Sequence, residues 1–328
     1  MKKRILFLLI AVCVAVCLMA APGTTCADEI HVDDLLTDAV PYNGETVLQG
    51  TYSVSGTVTV SDRITVNGTV NLILVGDCAL RANAGIELVG KNALNVYAKK
   101  DDSGVLGMLE ATAADDGDAG IGIGHCETSP MNGGKLTVYD GVILATGKVG
   151  GAGIGGGAGA DGIAGGNGCT VFVKGGYVTG VGGEQGIGIG GGRGGQGASG
   201  GIGGKLQINE GVMTGIAGEH GFAIGGGLAG DGYTGDDARG SNPAVSFSPI
   251  ATLKAGLSEQ ELEEVEKPDF GAVVFRAISG HSYLDNETCG SVLSGGSLTI
   301  VLVIVVAAVA AIAILIVLKK RKKTASVQ

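Results

Sequence analysis

Three blocks of this chain recur at a fixed interval, and that interval constrains the fold more than any other feature. Gly134-Lys-Leu-Thr-Val-Tyr-Asp-Gly-Val-Ile-Leu-Ala-Thr146, Cys169-Thr-Val-Phe-Val-Lys-Gly-Gly-Tyr-Val-Thr-Gly180 and Gly204-Lys-Leu-Gln-Ile-Asn-Glu-Gly-Val-Met-Thr-Gly215 align without gaps. Gly141, Gly176 and Gly211 stand 35 residues apart, as do Val138, Val173 and Ile208. A second signature lies between the blocks: Gly120-Ile-Gly-Ile-Gly124, Gly151-Ala-Gly-Ile-Gly-Gly-Gly157, Gly186-Ile-Gly-Ile-Gly-Gly-Gly192 and Gly221-Phe-Ala-Ile-Gly-Gly-Gly227. Its key residues read as Ile123, Ile154, Ile189 and Ile224. A degenerate last copy ends in Pro243-Ala-Val-Ser-Phe-Ser248.

Each unit has one physical logic. An apolar pair at period 2 (Leu136/Val138, Val171/Val173, Leu206/Ile208) makes a short strand with one buried face. A glycine corner follows, then a second short strand, then the Ile-Gly strand. Three such strands cannot bury a core alone, but stacked on neighbouring copies they can. The period therefore predicts an all-β fold, a right-handed parallel β-helix or β-solenoid. The glycine stretches Gly155 to Gly168 and Gly190 to Gly204 are expected as loops on one side. Glycine is 63 of 328 residues, but it does not fall at every third position, which excludes collagen. A hydrophobic fraction of 45% excludes a generic disordered chain.

The remaining segments divide around this repeat. Residues 28–116 carry short alternating strands (Val58-Thr-Val60, Ile64 to Val70, Leu72 to Val75, Ile86 to Val89, Leu94 to Tyr97) and read as N-terminal rungs and cap; 117–250 is the repeat. Residues 251–277 read as a C-terminal cap: a short acidic helix from a capping box at Ser258-Glu-Gln-Glu261 to Glu266, then a strand over Gly271–Ala277. Residues 278–297 form a stalk. Both ends point to a compartment. Lys2, Lys3 and Arg4 precede the apolar run Ile5–Ala21, so residues 1–27 read as a secretory signal. Residues 298–318 have Thr299 as their only polar member, long enough to span a bilayer as one transmembrane helix. Lys319 to Lys323 open the basic tail 319–328, expected in the cytoplasm by the positive-inside rule. The expected location is the cell membrane, single-pass, with the ectodomain outside. A span with a basic tail is similar to the end of sortase-anchored wall proteins, but Asp285-Asn-Glu-Thr-Cys-Gly290 stands where a Leu-Pro-x-Thr-Gly motif would be needed.

Charge and cysteines narrow the partners. Residues 28–297 hold 14 Lys and Arg against all 32 Asp and Glu, leaving -18. That balance gives no basic nucleic-acid surface and repels anionic polymers. Cys78, Cys126, Cys169 and Cys289 match no zinc spacing. They read as separate, partly buried thiols, with Cys126–Cys169 the one pair to test as a bridge.

The run from Ser55 to Leu74, the Gly-Ile-Gly-Gly rungs and the strand-Gly-Gly-strand block together resemble Gly-rich β-helix repeats of bacterial cell-surface proteins, common in gut Firmicutes. The resemblance covers roughly 45–250. It implies a surface location and an adhesin-like or carbohydrate-binding role, and it carries no catalytic motif.

Candidate chemistry is sparse. Gly156-Gly-Ala-Gly-Ala-Asp161-Gly-Ile163 fits the calcium β-roll nonapeptide once, without the tandem copy that such a site needs. If calcium binds, Asp161 is preferred over the pairs Asp115/Asp116 and Asp236/Asp237; no other cofactor is expected. Gly-x-Gly-x-x-Gly matches such as Gly151–Gly156 open no helix in a βαβ unit, so they do not read as phosphate cradles. Polysaccharide cleavage requires positioned carboxylates; the candidates are Asp140, Glu184, Glu210 and Glu219, with Lys174 and Arg193 as substrate holders. His125 and Cys126 are neighbours, but adjacent strand residues face opposite sides. Tyr139, Tyr177 and Tyr233 are candidate sugar platforms, with Tyr177 expected to pack because it aligns with Val142 and Val212. Asn67-Gly-Thr69 and Asn286-Glu-Thr288 fit the glycosylation triplet. The leading expectation is a membrane-anchored surface protein, structural or adhesive, presenting loops to glycans or proteins. A polysaccharide lyase or hydrolase and a passive stalk are the alternatives.

Overall fold

The computed structural model describes residues 31–102, 104–233, 240–248, 250–258, 262–264 and 273–274. The expected signal 1–27, stalk 278–297, membrane span 298–318 and basic tail 319–328 lie outside them. No helix among the described residues is long and apolar enough to cross a membrane. The chain divides at Asp38: a first unit carries the short helix α1 (Val32–Thr37), and the second, from Ala39, carries every strand.

The strands come in passes. The first contains β1 (Val40–Pro41), β2 (Val47–Val54) and β3 (Thr57–Val60); the next, β4 (Ile64–Val75), β5 (Ala79–Ala82) and β6 (Ile86–Glu87). Then follow β7 (Ala93–Lys99), β8 (Met108–Thr112) and β9 (Ile121–Gly122). The three repeats give β10 (Lys135–Val138), β11 (Val142–Thr146), β12 (Ile154–Gly155); β13 (Thr170–Val173), β14 (Tyr177–Val181), β15 (Ile187–Gly190); and β16 (Lys205–Ile208), β17 (Val212–Ile216), β18 (Phe222–Gly225). The chain continues through β19 (Ala244–Phe247), β20 (Thr252–Gly256), β21 (Glu263–Glu264) and β22 (Val273–Val274).

Strands pair in parallel with their counterparts in the next pass, which makes three ladders. Ladder A runs β2, β4, β7, β10, β13, β16, β19; ladder B runs β3, β5, β8, β11, β14, β17, β20; ladder C runs β4, β6, β9, β12, β15, β18. β4 belongs to two ladders. Ile64 pairs with Ile86 in ladder C, and Thr69–Val75 pairs with Ala93–Lys99 in ladder A. One 12-residue strand thus bends round a corner and fuses A and C into a single curled sheet. This nearly all-β architecture is compatible with a β-solenoid. The repeat sets the register: Leu136↔Val171↔Leu206 in A, Ile143↔Val178↔Met213 in B and Ile154↔Ile189↔Ile224 in C. These inward side chains are all at most 1% exposed and belong to one core. Burying each contributes roughly 1.5–3 kcal/mol.

One register differs from the sequence expectation. Ile154 pairs with Ile121 rather than Ile123. Gly120-Ile-Gly-Ile-Gly124 offers the Ile-Gly pair twice, two residues apart, and period 2 puts both isoleucines on the same side. The backbone ladder takes the first pair, and Ile123 is buried one step further on.

The glycine stretches differ more. They are not loose loops but packed layers. Each runs outward from ladder C, turns, and returns to ladder A. Gly166 N donates to Gly157 O, Gly192 N to Gly166 O, Gly201 N to Gly192 O and Gly227 N to Gly201 O (2.8–2.9 Å), so outgoing and returning arms of successive passes bond to one another. A Cβ on Gly157, Gly192 or Gly227 would fall within 3.0 Å of the carbonyl of Gly124, Gly157 or Gly192 respectively, one pass away. Only a residue without a side chain fits there, as at the axis of the collagen triple helix. The arms turn at Ala160-Asp-Gly-Ile163, Gly195-Gln-Gly-Ala198 and Gly230-Asp-Gly-Tyr233, each closed by a bond from the fourth N–H to the first C=O. Gly162, Gly197 and Gly232 supply the left-handed φ (73–79°) that the third turn position of a type II turn requires.

Two devices hold the ends. Near the N-terminal end, Arg63 Nη1 contacts the Ala84 and Ala119 carbonyls and Asp118 Oδ2 (3.0–3.1 Å), tying three passes together. Burial lowers the Arg63 pKa and Asp118 opposes that shift. Near the C-terminal end, antiparallel pairing replaces parallel stacking. β21 pairs with β20 (Lys254↔Glu264) and β22 with β19. The helix expected over 258–266 is therefore corrected at Glu263–Glu264, which is extended. The open edge of β20 offers these residues backbone partners, and a reversed strand closes a ladder that another parallel strand would prolong. The strand expected within Gly271–Ala277 is present at Val273–Val274.

Candidate functional site

The outward positions of ladder A differ in chemistry from the rest of the surface. Alternation sends Leu136, Val138, Val171, Val173, Leu206 and Ile208 inward, all at most 1% exposed. The intervening residues form three short rows: Lys135, Thr137, Tyr139; then Thr170, Phe172, Lys174; then Lys205, Gln207, Asn209. Registers Lys135↔Thr170↔Lys205 and Thr137↔Phe172↔Gln207 stack them in columns. Lys135 Nζ lies 5.0 Å from the Phe172 ring centroid and Lys205 Nζ 5.9 Å. Lys174 Nζ lies 4.5 Å from the centroid of Tyr139. Tyr139 in turn stacks on Tyr97, centroids 4.3 Å apart and planes 13° from parallel. Tyr97 is 2% exposed, so it backs the Tyr139 ring rather than meeting solvent; burial and the Tyr139 hydroxyl push its pKa up. The Thr137 hydroxyl is buried and has no hydrogen-bond partner among the described residues. Towards the N-terminus the same face continues as an amide column: Asn95 Nδ2 donates to Asn71 Oδ1 (2.9 Å), and Asn71 Nδ2 to Thr51 Oγ1 (3.1 Å).

The acidic candidates lie elsewhere, on the turns. Glu184 and Glu219 occupy the second position of stacked turns after ladder B, closed by Gly186 N to Gly183 O and Gly221 N to Gly218 O; both are exposed. Asp116 takes the equivalent place two passes before Glu184, in Asp115-Asp-Gly-Asp118. In this column Gln185 and His220 accept left-handed φ values (57° and 61°) where Gly117 and Gly150 stand in earlier passes. Asp140 and Glu210 lie at the corner between ladders A and B, two passes and about 10 Å apart. Asp140 is held by Lys100 (3.4 Å) and by Gly141 N–H (2.9 Å). The structure does not bring the four acids together, and they divide between two corners.

Asp161 stands exposed at an arm tip, with Gln196 in the next pass and Asp231 beyond it. Asp231 pairs with Arg193 (2.9 Å), so Arg193 closes an ion pair within the wing. Among the described residues no group of three or more His, Cys, Asp and Glu could hold a metal ion. Asp236 and Asp237 lie outside the described residues. His125 N donates to Asp118 Oδ1 (2.8 Å), and Cys126 is fully buried. Burial raises the Cys126 thiol pKa, opposite to what a nucleophile needs. Cys78, Cys126 and Cys169 are all free and buried, with Cys169 pushed up to about 12. Tyr177 is corrected: it is 54% exposed, because Val178 takes the inward position.

Sequence reasoning named Lys174 and Tyr139 but missed Lys135, Phe172 and Lys205. Their signal was the 35-residue spacing of the polar positions between the buried ones. No family model matches this chain, and no curated protein or solved structure matches it.

Proposed function

We propose that the chain is a membrane-anchored extracellular surface protein with a structural or adhesive role. A right-handed parallel β-helix, carried on the single span 298–318 with the basic tail in the cytoplasm, presents its surface to glycans or to other surface proteins. The observation that supports this most is the outer side of ladder A. It gathers Lys135, Tyr139, Phe172, Lys174 and Lys205 on a scaffold bonded from pass to pass. Stacked repeats suit such a role because equivalent positions recur at fixed spacing along an extended face. The placement of the acids supports binding over cleavage: they divide between two corners, Asp140 held by Lys100 and Glu184, Glu210 and Glu219 exposed on turns, without the facing acid and base that glycoside hydrolysis uses.

The test has two arms. In the first, protease is added to intact cells expressing the full chain. Release of fragments from residues 31–277 is expected; full protection would overturn the surface location. In the second, the full-length protein is incubated with soluble and insoluble polysaccharides, and both retention and new reducing or unsaturated ends are assayed. Retention without new ends is expected. New ends would establish the lyase or hydrolase alternative, and neither signal would leave the passive stalk.

A further inference from the structure

We propose that the outer side of ladder A between β10 and β16 binds a carboxylated polysaccharide, a chain of uronic acids. The proposal rests on the glycan-binding reading above and deepens it. The first argument is charge segregation. Residues 28–297 carry 14 cationic against 32 acidic side chains, yet the outward rows of β10, β13 and β16 hold three lysines and no Asp or Glu. The acids flanking this face, Asp140 and Glu210, occupy the corner beyond the rows, and Asp140 is engaged by Lys100. No carboxylate among the described residues pairs with Lys135, Lys174 or Lys205. A local basic strip on an acidic molecule selects an anionic ligand there and excludes it elsewhere.

The second argument is the kind of anion. The lysines are interleaved with ring faces: Phe172 lies between Lys135 and Lys205, and Tyr139 beneath Lys174. Tyr97 and Lys174 cover the two sides of the Tyr139 ring and Lys135 and Lys205 flank Phe172, so the rings hold the ammonium groups in the strip and a sugar carboxylate meets those groups from outside. Ammonium groups act as point charges and suit a carboxylate that has no fixed approach. Lys135 and Lys205 stand two passes apart, about 10 Å. The strip thus offers cationic positions along the stack, as a polymer with a charge on each sugar needs. Gln207 and Asn209 supply amide groups within the same rows. The Tyr97 ring holds Tyr139 in place from behind.

The experiment measures retention of the full-length protein, in detergent micelles, on immobilised polygalacturonate, on its fully methyl-esterified form, on a neutral glucan and on a single-stranded oligonucleotide. Polygalacturonate is expected to bind, with affinity falling as salt rises, while the ester form binds at least roughly tenfold less. The triple variant Lys135→Ala/Lys174→Ala/Lys205→Ala is expected to weaken polygalacturonate binding roughly tenfold, the combined effect of three exposed ion pairs. Tyr139→Ala weakens it as well, and Tyr177→Ala on the opposite ladder leaves it unchanged. The salt and ester comparisons need no variant, so misfolding of the triple variant cannot hide the answer. Equal retention on the acid and the ester overturns the proposal, as does a folded triple variant that binds normally or an oligonucleotide that binds more tightly. Retention on the neutral glucan alone overturns this inference and leaves the adhesive reading standing. Retention on no polysaccharide overturns both.

Discussion

The strand core and the glycine wing share one 35-residue period and stack pass upon pass, yet opposite physics holds them. In the core, Leu136, Val171 and Leu206 succeed one another in a column, and stability comes from side-chain area removed from water. In the wing, Gly157, Gly192 and Gly227 form the column, and packing depends on having no side chain at all. There the gain is backbone hydrogen bonding plus Cα–H···O contact, each small and all dependent on close approach. The core therefore tolerates a change of shape better than the wing tolerates one added methyl.

That contrast can be broken at five places. The largest effect is expected inside the wing. Gly195→Ala sets a Cβ against the Ala160 and Gly159 carbonyls, a clash with backbone that no side-chain movement relieves. A loss of about 4 kcal/mol or more is expected in urea denaturation; a loss under about 1 kcal/mol would show that the wing is not packed. In the core, Leu136→Ala should cost about 2–5 kcal/mol by the same measurement.

The third test sits where wing and core join, at Cys169. Its thiol holds its proton to about pH 12, while in the unfolded chain it ionises near pH 8.5. The folded pKa is the higher one, so its contribution is complete below about pH 8.5 and is lost as pH rises towards 12. Between pH 8 and 10.5 the wild type should lose about 2 kcal/mol that Cys169→Ala does not lose. Equal loss in both would place Cys169 in a wetter environment. Smaller still is Gly162→Ala at an arm tip, where a Cβ meets nothing within 4 Å and only the left-handed φ of 75° opposes it. About 1–2 kcal/mol is expected, well short of Gly195→Ala. Tyr177→Ala, exposed on ladder B, should change stability by less than about 0.5 kcal/mol. A large loss there would return Tyr177 to a packing role.

Much of the core was legible because it obeys short-range rules. Val138, Val173 and Ile208 alternate with polar neighbours and recur at 35 residues, so strand, inward face and register followed together. The wing was not legible in the same way. A glycine in a loose turn and a glycine under a neighbour's carbonyl read identically, since neither has a side chain to reveal its surroundings. Ile121 was missed for a related reason: two equivalent Ile-Gly frames compete, and only the pairing with Ile154 selects one. Of the candidate site, Tyr139 and Lys174 were visible one at a time. Phe172 between Lys135 and Lys205 became a site only when registers across three passes placed them in adjacent rows.

The sequence by itself determined the repeat, the three strands of each unit, the inward residues of ladder A and the acidic balance, because periodicity and composition act along the chain. The tertiary structure alone decided which polar residues share a face, that β4 bends between two ladders, that Arg63 reaches across three passes, and that the glycine arms pack. Those outcomes depend on contacts between residues 20 to 60 positions apart, made in the hydrogen-bonding direction across the strands.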